Sequence, residues 1–336
     1  MRITPELLRK LAMENVAKRL AQQRDVVAVY MTGSVLSEEP LLGGTTDIDL
    51  VFVHKEDPPV KREIARISYE ISLDIVHHHK SFYTFHRRLR LNPWLGHALC
   101  NHASILHDTD HWLEFIQSGV FSQFDSPENI FGRALPMAEK ARSIWFELEE
   151  PQEHEPLAWF SQYFKAVGLA ANAIAVLSGP ALPTRRFLID FPARAEAIGK
   201  QDLHEDVLGL IGADRVSPER YSTWRTTWEE TILTASKSPN CPPDLHPSRK
   251  TYYLQSCAAM LESGNYQAAF WPMLDTWLQA ARVLWDVPTQ RESWSALCAD
   301  LGFEPQQYEG RVAALDAFLD AIELTLDDWK SQFGLD

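Results

Sequence analysis

Two aspartates separated by one isoleucine open an apolar run in the segment TTDIDLVFVH, residues 45–54. Alternation along a strand would place Asp47 and Asp49 on one face and Ile48 and Leu50 on the other. Neighbouring carboxylates repel each other unless a cation lies between them, and a divalent ion that prefers oxygen ligands, such as magnesium, meets that need. The pattern therefore predicts a strand with one face in the core and a metal site on the other.

A third carboxylate follows in EISLDIVHH, residues 70–78. Ser72, Asp74 and Val76 share one face of the strand that this pattern predicts, so a neighbouring strand would deliver Asp74 to the same opening. Three acids on two adjacent strands can hold two metal ions about 4 Å apart, an arrangement that stabilises both the attacking and the leaving oxygen of a phosphoryl-type transfer. We therefore predict that Asp74 joins the two earlier aspartates.

The pair Gly33-Ser34 ends the apolar strand that precedes the aspartates. A glycine lets the backbone approach a ligand closely, and exposed N–H groups together with the serine hydroxyl can hold phosphate oxygens. A Gly-Ser pair after a strand also occurs as an ordinary turn. We interpret it here as a phosphate-holding corner because the aspartates follow it.

The elements that must position these residues alternate up to about residue 110. Strand patterns cover 26–31, 48–53, 71–76 and 102–108, and helix patterns cover 5–23 and 58–70. After about residue 125 the strand patterns stop. Helix patterns then follow at 128–150, 156–178, 218–236, 248–262, 265–286, 289–301 and 310–332.

These patterns predict an α+β fold, with a small mixed-sheet domain over 1–125 and an all-helical domain over 126–336. The proline-rich stretch 236–248 predicts a linker, so two helical bundles divided near 237–247 are an alternative. Pro136 and Pro272 should kink or split the helices that contain them.

Composition narrows the classes of partner and compartment. With 46 acidic against 32 basic side chains the formal net charge is -14, so nucleic acid is an unfavourable partner. The 4 cysteines form no CxxC pair, which favours reduced thiols over a structural zinc site. No stretch reaches about 18 uninterrupted apolar residues and the N-terminus lacks a signal-peptide core, so we expect a soluble cytoplasmic protein without a membrane partner. The oligomeric state is not indicated.

The order of these features resembles the nucleotidyltransferase superfamily typified by DNA polymerase beta. The resemblance covers residues 25–110: a strand, Gly33-Ser34, a loop, Asp47-Ile48-Asp49 and then Asp74 in a later strand. It implies that Gly33 and Ser34 contact the nucleotide β- and γ-phosphates and that Asp47 and Asp49 ligate magnesium, with two ions expected. Asp74 matches the third carboxylate, which touches a metal or serves as general base toward the acceptor hydroxyl.

The order of the two domains resembles the aminoglycoside nucleotidyltransferases that carry a helical C-terminal domain. This resemblance implies transfer of a nucleoside monophosphate, from ATP or another nucleoside triphosphate, to a hydroxyl of a small molecule such as an aminoglycoside antibiotic. Two alternatives remain open: a protein-AMPylating enzyme of toxin–antitoxin type, and a catalytically silent nucleotide-binding protein.

The loop 35–44 departs from that pattern because Glu38 and Glu39 stand where many relatives carry a basic residue. Phosphate neutralisation must then come from elsewhere. Lys165 and Arg185 lie in a stretch that resembles the segment by which the helical domain of streptomycin-type enzymes reaches the triphosphate, and we predict that they supply the charge. We interpret the histidine run at 77–79 as a strand end exposed to water.

Overall fold

The computed structural model of the chain describes residues 2–37, 39–58, 60–101, 104–150 and 155–335. The chain divides into two compact units. The first unit contains Met1–Asn129 and Ser248–Ser256, and the second contains Ile130–Pro247 and Cys257–Asp336. The predicted α+β class is confirmed, since the described strands lie in the first unit and long helices follow.

The described strands of the first unit form one mixed sheet in the order β3-β4-β2-β1-β5. Their bounds are β1 Val26–Thr32, β2 Thr46–His54, β3 Arg62–Arg66, β4 Ile71–His79 and β5 Ile105–Asp108. The neighbours β2 and β4 run parallel, whereas β1–β2, β1–β5 and β3–β4 are antiparallel. The two strands with the predicted acids are therefore adjacent in the sheet.

The helix predicted over 58–70 is wrong, because this stretch contains the edge strand β3. Its backbone pairs with β4 from Arg62 opposite Val76 to Arg66 opposite Ser72. Pairing with a neighbouring strand outweighs the local helix pattern, since β3 satisfies the backbone groups along the outer edge of β4, which a helix at 58–70 would leave without a strand partner. The consequence for the site is that Arg62 lies beside β4.

Helix α1, Pro5–Leu20, covers one face of the sheet. Thr4 caps it by accepting a hydrogen bond from the backbone N–H of Leu7. On that face the core contains Ile48, Leu50 and Phe52 of β2. On the opposite face only the second half of β2 joins a core cluster, through Val51 and Val53, so the first half of that face is left to the acids.

The described residues contain twelve α-helices besides α1. Four begin in the first unit before residue 130: α2 His86–Arg90, α3 Leu95–Leu99, α4 Trp112–Phe121 and α5 Pro127–Glu149. The others are α6 Pro156–Ala175, α7 Phe187–Glu196, α8 Leu203–Leu210, α9 Pro218–Ala235, α10 Lys250–Glu262, α11 Phe270–Val283, α12 Pro288–Leu301 and α13 Tyr308–Gln332. Among the described residues, none of these helices has both the length and the apolar character needed to cross a membrane.

The helix predictions hold for the long segments and fail for short ones. Helix α8, Leu203–Leu210, lies where no helix is predicted. Neither proline splits its helix, because α5 continues through Pro136 and Pro272 is the third residue of α11. A proline in the first turn removes no helical hydrogen bond, since those N–H groups have no partner within the helix.

A chain of polar contacts through two buried histidines links the far ends of β2 and β4. His54 Nδ1 lies 2.8 Å from Asp25 Oδ2, and its Nε2 lies 2.9 Å from His77 Nδ1. His77 Nε2 lies 2.9 Å from Glu63 Oε1. The expectation of a water-exposed histidine run is wrong for His77, which is only 5% exposed. Both of its ring nitrogens have partners, which is what burial of an imidazole requires.

Candidate metal and nucleotide site

The carboxylates predicted from the sequence lie together on one face of β2 and β4. The parallel register sets Asp49 opposite Asp74, and Asp47 opposite Ser72. Each acid offers one carboxylate oxygen, and these oxygens all lie within 4.8 Å of one another. Asp47 and Asp74 are buried and Asp49 is half-buried. Strand alternation and strand order thus bring three acidic side chains into one cluster.

The corner at Gly33 fits closely against this cluster. In the β1–β2 ladder Thr32 pairs with Asp49, so the next residue follows directly beside that carboxylate. Gly33 has a φ of +72°, and a Cβ built there would lie 2.1 Å from Asp49 Oδ2. Glycine is therefore required twice, for its backbone conformation and for the space that Asp49 takes. The corner and the acids form one structure.

Ser34 is the second residue of the turn Gly33–Leu36, and its hydroxyl is available to bind a ligand. Its backbone carbonyl accepts a hydrogen bond from the Ser37 N–H at 2.9 Å, which closes the turn. Its Oγ is buried and has no hydrogen-bond partner among the described residues. A buried hydroxyl without a partner is uncommon in proteins and suits a site that receives a polar ligand.

Burial raises the pKa of Asp49 well above its ordinary value, and the charges of Asp47 and Asp74 raise it further, while Arg249 and Arg62 oppose them. Asp47 Oδ1 is buried and has no hydrogen-bond partner among the described residues. The cluster thus has a net negative charge, and Asp47 Oδ1 is available as a ligand. Clustered carboxylate oxygens of this kind fit magnesium or another divalent ion with the same ligand preference.

Two arginines already contact the acids. Arg62 donates from Nε and Nη2 to the two oxygens of Asp74, at 2.9 and 2.6 Å. Arg249 donates from Nη2 to Asp47 Oδ2 at 2.7 Å and from Nη1 to Asp74 Oδ2 at 3.0 Å. Arg249 is 6% exposed. A single buried guanidinium therefore bridges the acids of β2 and β4.

Arg249 belongs to the short segment Ser248–Ser256 that joins the first unit. The loop 35–44 packs against this segment: Gly43 has a φ of +60°, and a Cβ there would lie 2.1 Å from the carbonyl oxygen of Gln255. The guanidinium of Arg249 lies 5.1 Å from the ring centroid of Tyr252. Gly43 therefore lies against the segment that carries Arg249. Glu38, which the sequence analysis singled out in the loop, lies outside the described residues.

Neither arginine is predicted from the sequence. Arg62 fell within the stretch assigned to a helix, and its place beside Asp74 depends on the β3–β4 pairing. Arg249 is separated from Asp74 by 175 positions and from Asp47 by 202. The one local signal is its place directly after the proline-rich stretch, and that signal carries no information about distant contacts.

Lys165 and Arg185 both lie in the second unit. Lys165 is exposed on α6, and Arg185 is buried in a turn at Thr184–Arg186. Their contact with a triphosphate stays a prediction.

A comparison with models of known protein families and with curated proteins finds no match.

Proposed function

We propose that the protein is a magnesium-dependent nucleotidyltransferase that moves a nucleoside monophosphate, AMP from ATP in the simplest case, to a hydroxyl of a small molecule and releases pyrophosphate. The observation that carries this proposal is the convergence of Asp47, Asp49 and Asp74 beside the Gly33 corner. The acids supply oxygen ligands for the ion, and the corner supplies backbone N–H groups and a hydroxyl for phosphate.

Each residue has a separate part in that reaction. Asp47 and Asp49 would hold the divalent ion, which when bound neutralises charge on the reacting phosphate oxygens. Gly33 and Ser34 would hold the outer phosphates. Asp74 would orient the acceptor hydroxyl and take its proton, within hydrogen-bond reach. Both oxygens of Asp74 accept hydrogen bonds from Arg62, and Oδ2 also accepts one from Arg249, so release of Arg249 would free a lone pair of Oδ2 for that proton.

The acceptor that we propose is a small polyhydroxylated cation of the aminoglycoside kind. The formal net charge of -14 supports this choice, because a protein of negative charge steers cations toward it. We place the reaction in the cytoplasm, which suits the four cysteines, Cys100, Cys241, Cys257 and Cys298, because no disulfide joins them.

Release of pyrophosphate tests the proposal. Each of the four common nucleoside triphosphates would be incubated with magnesium, with and without a panel of aminoglycosides, lincosamides and other polyols. We expect release that needs both magnesium and one class of acceptor, and at least a hundredfold slower release by Asp49→Asn, because a metal ligand is lost. The control Asp57→Asn removes an exposed carboxylate of the same unit and should keep the wild-type rate.

The proposal is wrong if no combination releases pyrophosphate and calorimetry detects no ATP binding. A wild-type rate in Asp49→Asn would show that the site is elsewhere.

A further inference from the structure

The charge balance at the three carboxylates favours binding of a divalent ion only if one arginine moves away. Three carboxylates face the guanidinium groups of Arg62 and Arg249, so the formal charge of the group is one negative unit. A divalent ion added to this group would make it positive. Like charges a few ångströms apart in a buried site repel strongly, because little water screens them.

The two arginines differ in what they block. Arg62 contacts Asp74, and its side chain is 36% exposed. Arg249 contacts Asp47 and Asp74 together, and its side chain is 7% exposed. An ion held by Asp47 and Asp49 needs lone pairs of Asp47, whose Oδ2 accepts a hydrogen bond from Arg249, so it competes with Arg249 for position and for a ligand atom. Arg62 can stay, since it approaches Asp74 from the β3 side.

A released guanidinium needs a new partner of negative charge. Its planar set of donors matches the oxygens of a phosphate as well as it matches two carboxylates. The proposed nucleotide brings such oxygens to the same corner, because the Gly33 turn lies against Asp49. The ring of Tyr252, 5.1 Å from the guanidinium, gives the side chain a surface to stay on as its partners change.

We propose that Arg249 couples metal binding to nucleotide binding: it occupies the carboxylates in the ligand-free protein and exchanges them for nucleotide phosphate oxygens when a divalent ion binds. This inference rests on the proposed function. It deepens that function by assigning a binding role to a residue of the segment Ser248–Ser256 and by making binding of the ion depend on binding of the nucleotide. The ion alone binds weakly, and the ion with a nucleotide binds well.

Thermodynamic linkage makes the coupling measurable in both directions, because a nucleotide that strengthens ion binding is itself strengthened by the ion to the same degree. Mn²⁺ is a suitable probe, since it shares the oxygen-ligand preference of magnesium and its free form is detected by electron paramagnetic resonance. Titrations would be run with and without a non-hydrolysable ATP analogue. The proteins are the full-length wild type, Arg249→Gln, Arg249→Lys and Lys250→Gln.

We expect Arg249→Gln to bind Mn²⁺ alone about tenfold more tightly than the wild type, since the competing cation is gone; that factor equals about 1.4 kcal/mol. The analogue should strengthen Mn²⁺ binding by about tenfold in the wild type and by less than about threefold in Arg249→Gln. Lys250→Gln removes the same charge one residue away and should match the wild type.

Arg249→Lys keeps the charge and protects the measurement if Arg249→Gln does not fold. A lysine ammonium lacks the planar fork that bridges two carboxylates, so we expect tighter Mn²⁺ binding than in the wild type, by about threefold. Unfolding temperatures give a second readout. Mn²⁺ alone should raise that of Arg249→Gln by several degrees more than that of the wild type, because the ion replaces the missing cation.

Equal Mn²⁺ affinity in the wild type and in folded Arg249 variants, or equal coupling to the analogue, would overturn the inference. Tight Mn²⁺ binding by Arg249→Gln with the expected loss of coupling, but no pyrophosphate release by the wild type, would overturn the proposed transfer and support the exchange. Failure of every variant to bind Mn²⁺ under any condition would overturn both.

Discussion

Gly33 and Asp49 form the closest fit in the candidate site. The space that a Cβ at Gly33 would need is filled by the Asp49 carboxylate, so the glycine sets where that ligand points. This contact explains in physical terms why a glycine precedes the serine. It also means that the position of the carboxylate can be tested without changing the carboxylate itself.

We expect Gly33→Ala to lose divalent-ion binding by at least about tenfold and to lower the free energy of unfolding by about 2–4 kcal/mol. The new methyl group would displace Asp49 Oδ2, which lies 2.1 Å from the Cβ position. Mn²⁺ titration and urea unfolding measure the two effects.

Gly44→Ala is the matched control for this substitution. Gly44 has a φ of +71°, close to the +72° of Gly33, but a Cβ there meets nothing within 4 Å. It should therefore cost only the backbone strain, about 1–2 kcal/mol, and leave ion binding unchanged. Equal effects of the two substitutions on Mn²⁺ binding would contradict the role of the Gly33 contact.

For single residues, the sequence predicts the acids of the site but not the arginines that contact them. Asp47, Asp49 and Asp74 are predictable because alternation along a strand fixes the face of each side chain. Arg62 and Arg249 are not predictable from local patterns, because nothing near them in the sequence records which distant carboxylates they contact. The charge balance of the site depends on these two residues.

Among the elements, helix α11 carries the clearest pH-sensitive group of the second unit. Burial raises the pKa of Asp275 to about 6, and the neighbouring charge of Asp244 adds to the increase. Hydrogen bonds from Gln279 and Thr184 and the charge of Arg282 act in the opposite direction. The folded protein therefore holds a proton on this carboxyl more tightly than the unfolded chain does.

The sign of the pH effect follows from that difference. Because the folded pKa lies above the unfolded value, the contribution of Asp275 to stability is fully present below about pH 4 and is lost as the pH rises through about 6. We expect the free energy of unfolding of the wild type, relative to Asp275→Asn, to fall by about 2 kcal/mol between pH 4 and pH 8.

Urea unfolding at several pH values measures this difference. Asp286→Asn, which changes an exposed acid shortly after the end of α11, should show the same pH dependence as the wild type. If the wild type and Asp275→Asn run parallel from pH 4 to pH 8, the buried carboxyl does not titrate as described.

The length of a helix or strand decides how well the sequence predicts it. The long helices α5, α6 and α13 have enough turns for their apolar pattern to stand out. Strand β3 and helix α8 are short, so their local patterns are weak. Pairing with β4 decides the conformation of the first, and packing within the second unit decides that of the other. The buried contact between His54 and His77 depends likewise on the pairing of β2 with β4.

For the whole molecule, the return of Ser248–Ser256 to the first unit is the feature that the sequence did not predict. A division at 125/126 treats the chain as two successive domains, and the proline-rich stretch 236–248 before this segment does not indicate which unit the segment joins. The return matters for function because it supplies Arg249, so the candidate site is assembled from two distant parts of the chain. One of the two positive charges at the acids therefore comes from the segment Ser248–Ser256, which follows α9 in the chain.

Transfer of the nucleotide's α-phosphorus to an acceptor tests the central claim most directly. The wild type would be incubated with magnesium, an acceptor and ATP labelled at either the α- or the γ-phosphorus, and the products separated by chromatography. We expect label in the acceptor from α-labelled ATP only, with the γ-label leaving in pyrophosphate, and none of this in Asp49→Asn. Label in the acceptor from γ-labelled ATP, or no labelled acceptor with any nucleoside triphosphate, would contradict nucleotidyl transfer.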